Sequence, residues 1–71
     1  MDYLVIVEKG KSSYGAWVPD LPGCVAAGTT RREVRKLIRD GIALHIGALR
    51  AAGDVVPEEA STSEVLRIRI A

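Results

Sequence analysis

The sequence predicts a single α+β domain with elements in the order β-β-β-α-β. Three observations predict it. The first 28 residues hold three short apolar stretches separated by Gly and Pro, residues 30–52 carry apolar side chains at helical spacing, and residues 64–70 alternate apolar and basic side chains. With 71 residues the chain can build one small core. We therefore expect one domain over residues 1–71, with a four-stranded sheet and one helix packed on one sheet face.

The first half of the chain contains the three strands. Residues 3–8, Tyr-Leu-Val-Ile-Val-Glu, are rich in β-branched side chains and predict the first strand. A polar loop with Gly10 leads to a returning strand over residues 14–18. Residues 24–27 predict a short third strand, and Gly28 ends it.

The connection between the second and third strands is rich in turn-forming residues, namely Pro19, Asp20, Pro22 and Gly23. The prolines lack a backbone N–H, so this stretch cannot continue a strand ladder. We expect Asp20 to accept backbone hydrogen bonds and close the turn, and Gly23 to adopt a positive φ. All four residues are predicted to be structural.

The second half begins with a helix. Thr30 is the predicted N-cap and Glu33 follows at the spacing of a capping box. Apolar residues then form one stripe, and Gly53 is the predicted C-terminal stop. After a loop that contains Pro57, residues 64–70 predict a half-buried fourth strand with its arginines facing outward.

A single helix covers only one face of this sheet. The other face would then expose apolar side chains, which is typical of an interaction surface. The simplest partner is another copy of the chain, so we predict a dimer or tetramer through the uncovered sheet face. The residues predicted to face a partner are Tyr14, Trp17 and Arg35.

The sequence contains no recognisable catalytic set. His45 is the only histidine and lies on or beside the apolar stripe of the helix, so a packed role is favoured over a catalytic one. Cys24 is the only cysteine and is predicted to be a buried structural residue. The acidic residues are scattered, and no phosphate-binding glycine motif occurs. We therefore predict neither enzymatic activity nor a metal or cofactor.

Composition narrows the compartment and the partners. The net charge is +1, which indicates no global attraction to nucleic acid. The chain has no apolar run of about 20 residues, no signal-like start and no internal disulfide, so we expect a cytoplasmic protein without a membrane segment.

Basic side chains cluster on the first half of the helix. This basic flank is a solvated helix face or a patch for an acidic partner or nucleic acid, and the sequence leaves both open. Its members are Arg31, Arg32, Arg35, Lys36 and Arg39.

The run Val18-Pro19-Asp20-Leu21-Pro22-Gly23-Cys24-Val25, followed by Gly28-Thr29-Thr30 and Glu33, resembles the HicB-like antitoxin family over about residues 3–57. The resemblance implies a partial RNase H-like β-β-β-α-β fold. It also implies a partner, a HicA-like ribonuclease toxin that cleaves mRNA and whose active site is blocked by protein–protein contact.

At its C-terminal end the sequence departs from the pattern of many family members. Many members of this family carry a C-terminal DNA-binding domain, whereas this sequence leaves no room for one after the predicted fourth strand, so DNA binding by this chain alone is not expected. The leading hypothesis is an antitoxin-type binding module. The alternatives are a stand-alone homo-oligomeric scaffold or adaptor, and a weak nucleic-acid-binding module that uses the basic flank.

Overall fold

The computed structural model describes residues 1–70 and contains three strands and one helix. The strands are β1 (Ile6–Lys9), β2 (Tyr14–Trp17) and β3 (Val25–Gly28), and the helix is α1 (Arg31–Ala51). The predicted α+β class and the order of these four elements are confirmed. Within residues 1–70 no helix is both long enough and apolar enough to cross a membrane.

The strands form an antiparallel sheet in the order β1-β2-β3. Val7 lies opposite Ala16, and Ala16 lies opposite Ala26. Because side chains alternate between the two sheet faces, this row of three lies on one face. It is the face that α1 covers, since Ala16 is buried in the core and the other two pack against it.

The core lies between the sheet and α1. The helix packs mainly over β2 and β3, so the helix-facing side of β1 is less covered. Val5 and Val7 there are only half-buried. The buried residues are Ala16, Val18, Leu21, Cys24, Val34, Ile38 and Ile46.

Hydrogen bonds cap both ends of α1. The Glu33 amide donates to the Thr30 hydroxyl at 3.0 Å, and the Glu33 carboxylate accepts from the Thr29 amide at 2.9 Å. The predicted capping box is therefore present, with its return bond one residue before the cap. At the other end, Gly53 has a φ of 75° and its amide donates to the Arg50 carbonyl, as in a Schellman motif.

Two consecutive turns connect β2 to β3. The Leu21 amide donates to the Val18 carbonyl, and the Cys24 amide donates to the Leu21 carbonyl, both at 3.1 Å. Gly23 has a φ of 83°, as expected from the sequence. The turns point Leu21 inward, where its side chain is fully buried. The connection thus contributes a core residue as well as a change of direction.

The predicted fourth strand is absent from the structure, so the sheet has three strands instead of four. Residues 62–70 have no regular secondary structure and are exposed, and we call them the tail. No backbone hydrogen bond within residues 1–70 joins the tail to another segment. The apolar–basic alternation is real, but a strand forms only when a neighbouring backbone pairs with it.

The first strand is also shorter than predicted, since pairing begins at Ile6 instead of Tyr3.

Candidate interaction surfaces

The sheet face opposite α1 is uncovered. Ile6, Trp17 and Val25 lie side by side across the three strands on this face, which we call the open face. Ile6 and Trp17 are half-buried, whereas Val25 is 70% exposed. Glu8, which is exposed, lies two residues after Ile6 and therefore on the same face. The open face thus combines an apolar row with one carboxylate.

The three residues predicted to face a partner lie on different surfaces. Trp17 lies on the open face. Tyr14 lies on the opposite face, packs against the core and has the Arg31 guanidinium 5.8 Å from its ring centre, within cation–π range. Arg35 is exposed on α1. The structure therefore does not bring these residues together into one site.

A groove of about 590 Å³ lies between β1 and α1. We call it the β1 groove. Its apolar lining includes Val5 and Val7 from the first strand region and Ile38 and Ile42 from the helix. Three arginines of the basic flank also line it, Arg31, Arg35 and Arg39. The groove arises because α1 lies over β2 and β3 and leaves the outer side of β1 uncovered. Sequence reasoning did not find this groove, since periodicity does not show which strands a helix covers.

The basic flank is only partly neutralised. Lys36 donates to the Asp40 carboxylate at 3.2 Å one helical turn away, and both side chains are exposed. An exposed pair of this kind contributes only about 0.3–0.5 kcal/mol to helix stability. Arg32, Arg35 and Arg39 make no ion pair within residues 1–70. They therefore keep a positive surface along one side of α1.

Asp20 anchors the segment that precedes the tail. Its carboxylate accepts from the backbone amides of Ala60 and Ser61, both at 2.9 Å, and from the Ser61 hydroxyl at 2.7 Å. The sequence predicts that Asp20 accepts backbone hydrogen bonds and closes its own turn. The donors instead lie 40 and 41 residues away in the chain, and backbone bonds close the turns. Nearby, the Tyr3 hydroxyl donates to the Pro57 carbonyl. Residues 57–61 are therefore tied to the segment before β1 and to the connection between β2 and β3.

The surroundings of Asp20 and Tyr3 shift the pKa values of both groups, for different reasons. The amide and hydroxyl donors of Ser61, with the amide of Ala60, lower the pKa of Asp20, and partial desolvation opposes them. Desolvation raises the pKa of Tyr3, and the negative charges of Glu59 and Asp20 add to this effect.

The Asp20 anchor predicts a pH-dependent attachment. The folded-state pKa of Asp20 is lower than the unfolded value of about 3.9, so the bonds stabilise the attachment above that pH and are lost as pH falls through the folded-state value. We expect Asp20→Ala to speed hydrogen exchange of the Ala60 and Ser61 amides by about tenfold at neutral pH. Acid should lower the protection factors of the same two amides in the wild type, where each factor is taken relative to the intrinsic exchange rate at that pH. Asp54→Ala, in the nearby loop, is the control, and equal acceleration in that variant would contradict the anchor.

Cys24 and His45 are the residues whose side chains could have nucleophilic or acid–base roles. Cys24 is a free, buried thiol, and burial raises its pKa, which disfavours the reactive thiolate. His45 is half-buried on α1 beside the buried Ile46. Within residues 1–70 no group of three His, Cys, Asp or Glu side chains could hold a metal ion. The open face, the β1 groove and the basic flank are the candidate interaction surfaces of the described residues.

A three-stranded antiparallel sheet with one helix, an apolar open face and a groove lined in part by arginines defines a small α+β protein. The chain belongs to the HicB-like antitoxin family of bacterial toxin–antitoxin systems, whose pattern matches residues 3–69. The match extends past the region on which the sequence resemblance rested and includes nearly all of the tail. Members of this family are generally regulatory modules without enzymatic activity.

Curated relatives agree with this assignment. A UPF0150 protein of Helicobacter pylori is 39% identical over 46 residues, which are 65% of this chain and 64% of that protein. A UPF0150 protein of Thermoplasma acidophilum is 33% identical over 60 residues, covering 83% of this chain and 87% of the relative. An uncharacterised 14.9 kDa protein of Haemophilus phage HP1 is 33% identical over 58 residues. These residues make up 82% of this chain but only 44% of the phage protein. No solved structure matches the chain.

Proposed function

We propose that this chain inhibits a HicA-like mRNA-cleaving toxin by protein–protein contact through the open face. Family membership supports an antitoxin role in general. The observation that carries the proposed contact is the uncovered row of Ile6, Trp17 and Val25, which offers a partner a flat apolar surface. We place this activity in the cytoplasm, where the toxin meets mRNA and the free thiol of Cys24 stays reduced.

Charge on the open face suits such a partner. A ribonuclease that binds mRNA presents cations to phosphate groups. Glu8 lies beside the apolar row and is exposed, so it can pair with one of those cations. The basic flank lies on α1, on the other side of the sheet, and would not oppose the approach of a basic toxin to the open face.

The test is growth of cells that express a HicA-like ribonuclease encoded next to this chain. Wild-type chain should restore growth, and Val25→Arg should abolish the rescue because it adds bulk and a like charge at the exposed end of the apolar row. Val25 is already 70% exposed, so its replacement should change the free energy of unfolding by only about 0.5 kcal/mol.

Leu44→Arg is the matched control for this test. Leu44 is 74% exposed on α1, away from the open face, and the substitution makes the same change in charge. It should rescue growth as well as the wild type. Arrest that persists with the wild-type chain would refute toxin inhibition. Rescue by Val25→Arg would show that the toxin binds elsewhere.

Self-association is the second part of the proposal. It is favoured by the exposed apolar residues of the tail, Leu66, Ile68 and Ile70, which are 67%, 71% and 87% exposed. A homo-oligomer that leaves the toxin unaffected would support the scaffold or adaptor role. Binding to nucleic acid through the basic flank would instead show a steep dependence on salt concentration.

A further inference from the structure

We propose that the β1 groove binds residues 64–70 of a second copy of the chain, so that two chains exchange their tails. The inference concerns self-association and does not depend on the identity of the toxin. It rests on a match between two unsatisfied features of one molecule: a strand-like segment without a neighbour, and a strand edge beside an unfilled apolar groove.

The first feature is the tail. Its even-numbered residues Leu66, Ile68 and Ile70 are apolar, and the arginines lie between them at positions 67 and 69. This is the pattern of a half-buried strand. All residues of the tail are nevertheless exposed, and no backbone hydrogen bond within residues 1–70 pairs it with another segment. A single copy therefore leaves the apolar side of this segment in water.

The second feature is the edge of the sheet. β1 is hydrogen-bonded to β2 on one side only, so its other side offers unpaired amide and carbonyl groups. The β1 groove lies against this strand on the side of α1. A strand added at the edge would place one row of its side chains over Val5, Val7, Ile38 and Ile42. Seven residues in strand conformation extend about 23 Å, which is long enough to follow all of β1.

Charge determines which row of the tail enters the groove. With the even row inside, three apolar side chains cover the groove lining, and Glu64 lies on the same side as the three arginines of the rim. Arg67 and Arg69 then face the opposite side of the sheet, where Glu8 is exposed. A shift by one residue would instead bring both tail arginines to a lining that holds three arginines and one carboxylate, that of Asp2. Placing the even-numbered row in the groove is thus electrostatically favourable on both faces of the sheet.

The occupant is a second copy because of how the chain holds its own tail. Asp20 and Tyr3 fix residues 57–61, and with those bonds made the tail leaves the domain and the groove remains unfilled. If two molecules swap tails, each keeps these bonds, and the β1 groove of each is filled by the tail of the other. The two molecules are then related by a two-fold axis. The swap also creates in each unit the fourth strand that the sequence pattern predicts.

The test is analytical ultracentrifugation of the full chain and of two tail variants. The wild type should be a dimer at concentrations on the order of 10 µM. Ile68→Lys should raise the dimer dissociation constant by at least about tenfold, because it puts a cation next to the groove arginines and removes an apolar contact. Val65→Lys, in the other row, should change the constant by less than about threefold.

Each other result overturns the inference. A wild type that stays monomeric at about 100 µM shows that no exchange occurs. If the two substitutions raise the dimer dissociation constant equally, or if neither raises it, the even-numbered row is not the row that binds. Hydrogen–deuterium exchange of amides 64–70 distinguishes a dimer whose chains have swapped tails from a monomer whose tail docks in its own groove. Protection should fall as the protein is diluted below its dissociation constant, and protection that is independent of concentration would mean that each tail fills its own groove.

Discussion

Leu21→Ala should lower the free energy of unfolding by about 2–5 kcal/mol. The Leu21 side chain is fully buried, in a loop between two strands, and it belongs to the central core cluster. Its removal leaves a cavity that two hydrogen-bonded turns prevent from collapsing. A core of this size rarely supplies more than about 3–5 kcal/mol of net stability. The variant should therefore be largely unfolded near 37 °C.

Urea denaturation followed by circular dichroism measures this loss. Leu44→Ala removes the same atoms from a side chain that is 74% exposed, and its free energy of unfolding should change by less than about 0.5 kcal/mol. If the two variants were equally stable, the loop leucine would not be part of the core. The comparison also controls for loss of leucine as such.

Gly28→Ala should destabilise the domain by about 1–3 kcal/mol. A Cβ at position 28 would lie 2.8 Å from the Glu33 carboxylate and 3.1 Å from the Val34 backbone nitrogen. The Glu33 side chain can move away, but it would then lose its bond to the Thr29 amide. The Val34 backbone can move only if the first turn of α1 shifts on the sheet.

Gly41→Ala is the matched control because it makes the same glycine-to-alanine change at a position inside α1. Apart from its chain neighbours and the backbone of its own helix, no heavy atom lies within 4 Å of the Cβ it would add, so the variant should gain about 0.5–1 kcal/mol from helix propensity. Thermal denaturation of the two variants should thus give shifts of opposite sign. A loss in both, or a gain in both, would contradict the close approach at Gly28.

The sequence predicted the local structure well where the cause is local. Thr30 and Glu33 lie three residues apart and cap the helix by direct hydrogen bonds. Gly23 and Gly53 adopt the positive φ that residues with a side chain rarely take. The hairpin and the boundaries of α1 follow from the same kind of signal, since each depends on residues close together in the chain.

The sites were less predictable because they depend on distant residues. Asp20 bonds to Ser61, and no spacing in the sequence connects them. Tyr14 and Trp17 lie three residues apart in one strand and therefore on opposite faces, but alternation does not show which of the two faces meets the helix. The position of the helix over the sheet then decided that Tyr14 faces the core.

The sequence by itself determined the α+β class, the capped helix, the turn-rich connection and the strand-like pattern of residues 64–70. Each follows from local conformational preference or from periodicity, which act over a few residues. Only the tertiary structure decided that α1 covers β2 and β3, that the β1 groove stays unfilled and that the tail finds no neighbour within its own chain. The physical reason is that a strand is completed by hydrogen bonds to another segment, and the sequence of one strand does not specify where that segment lies.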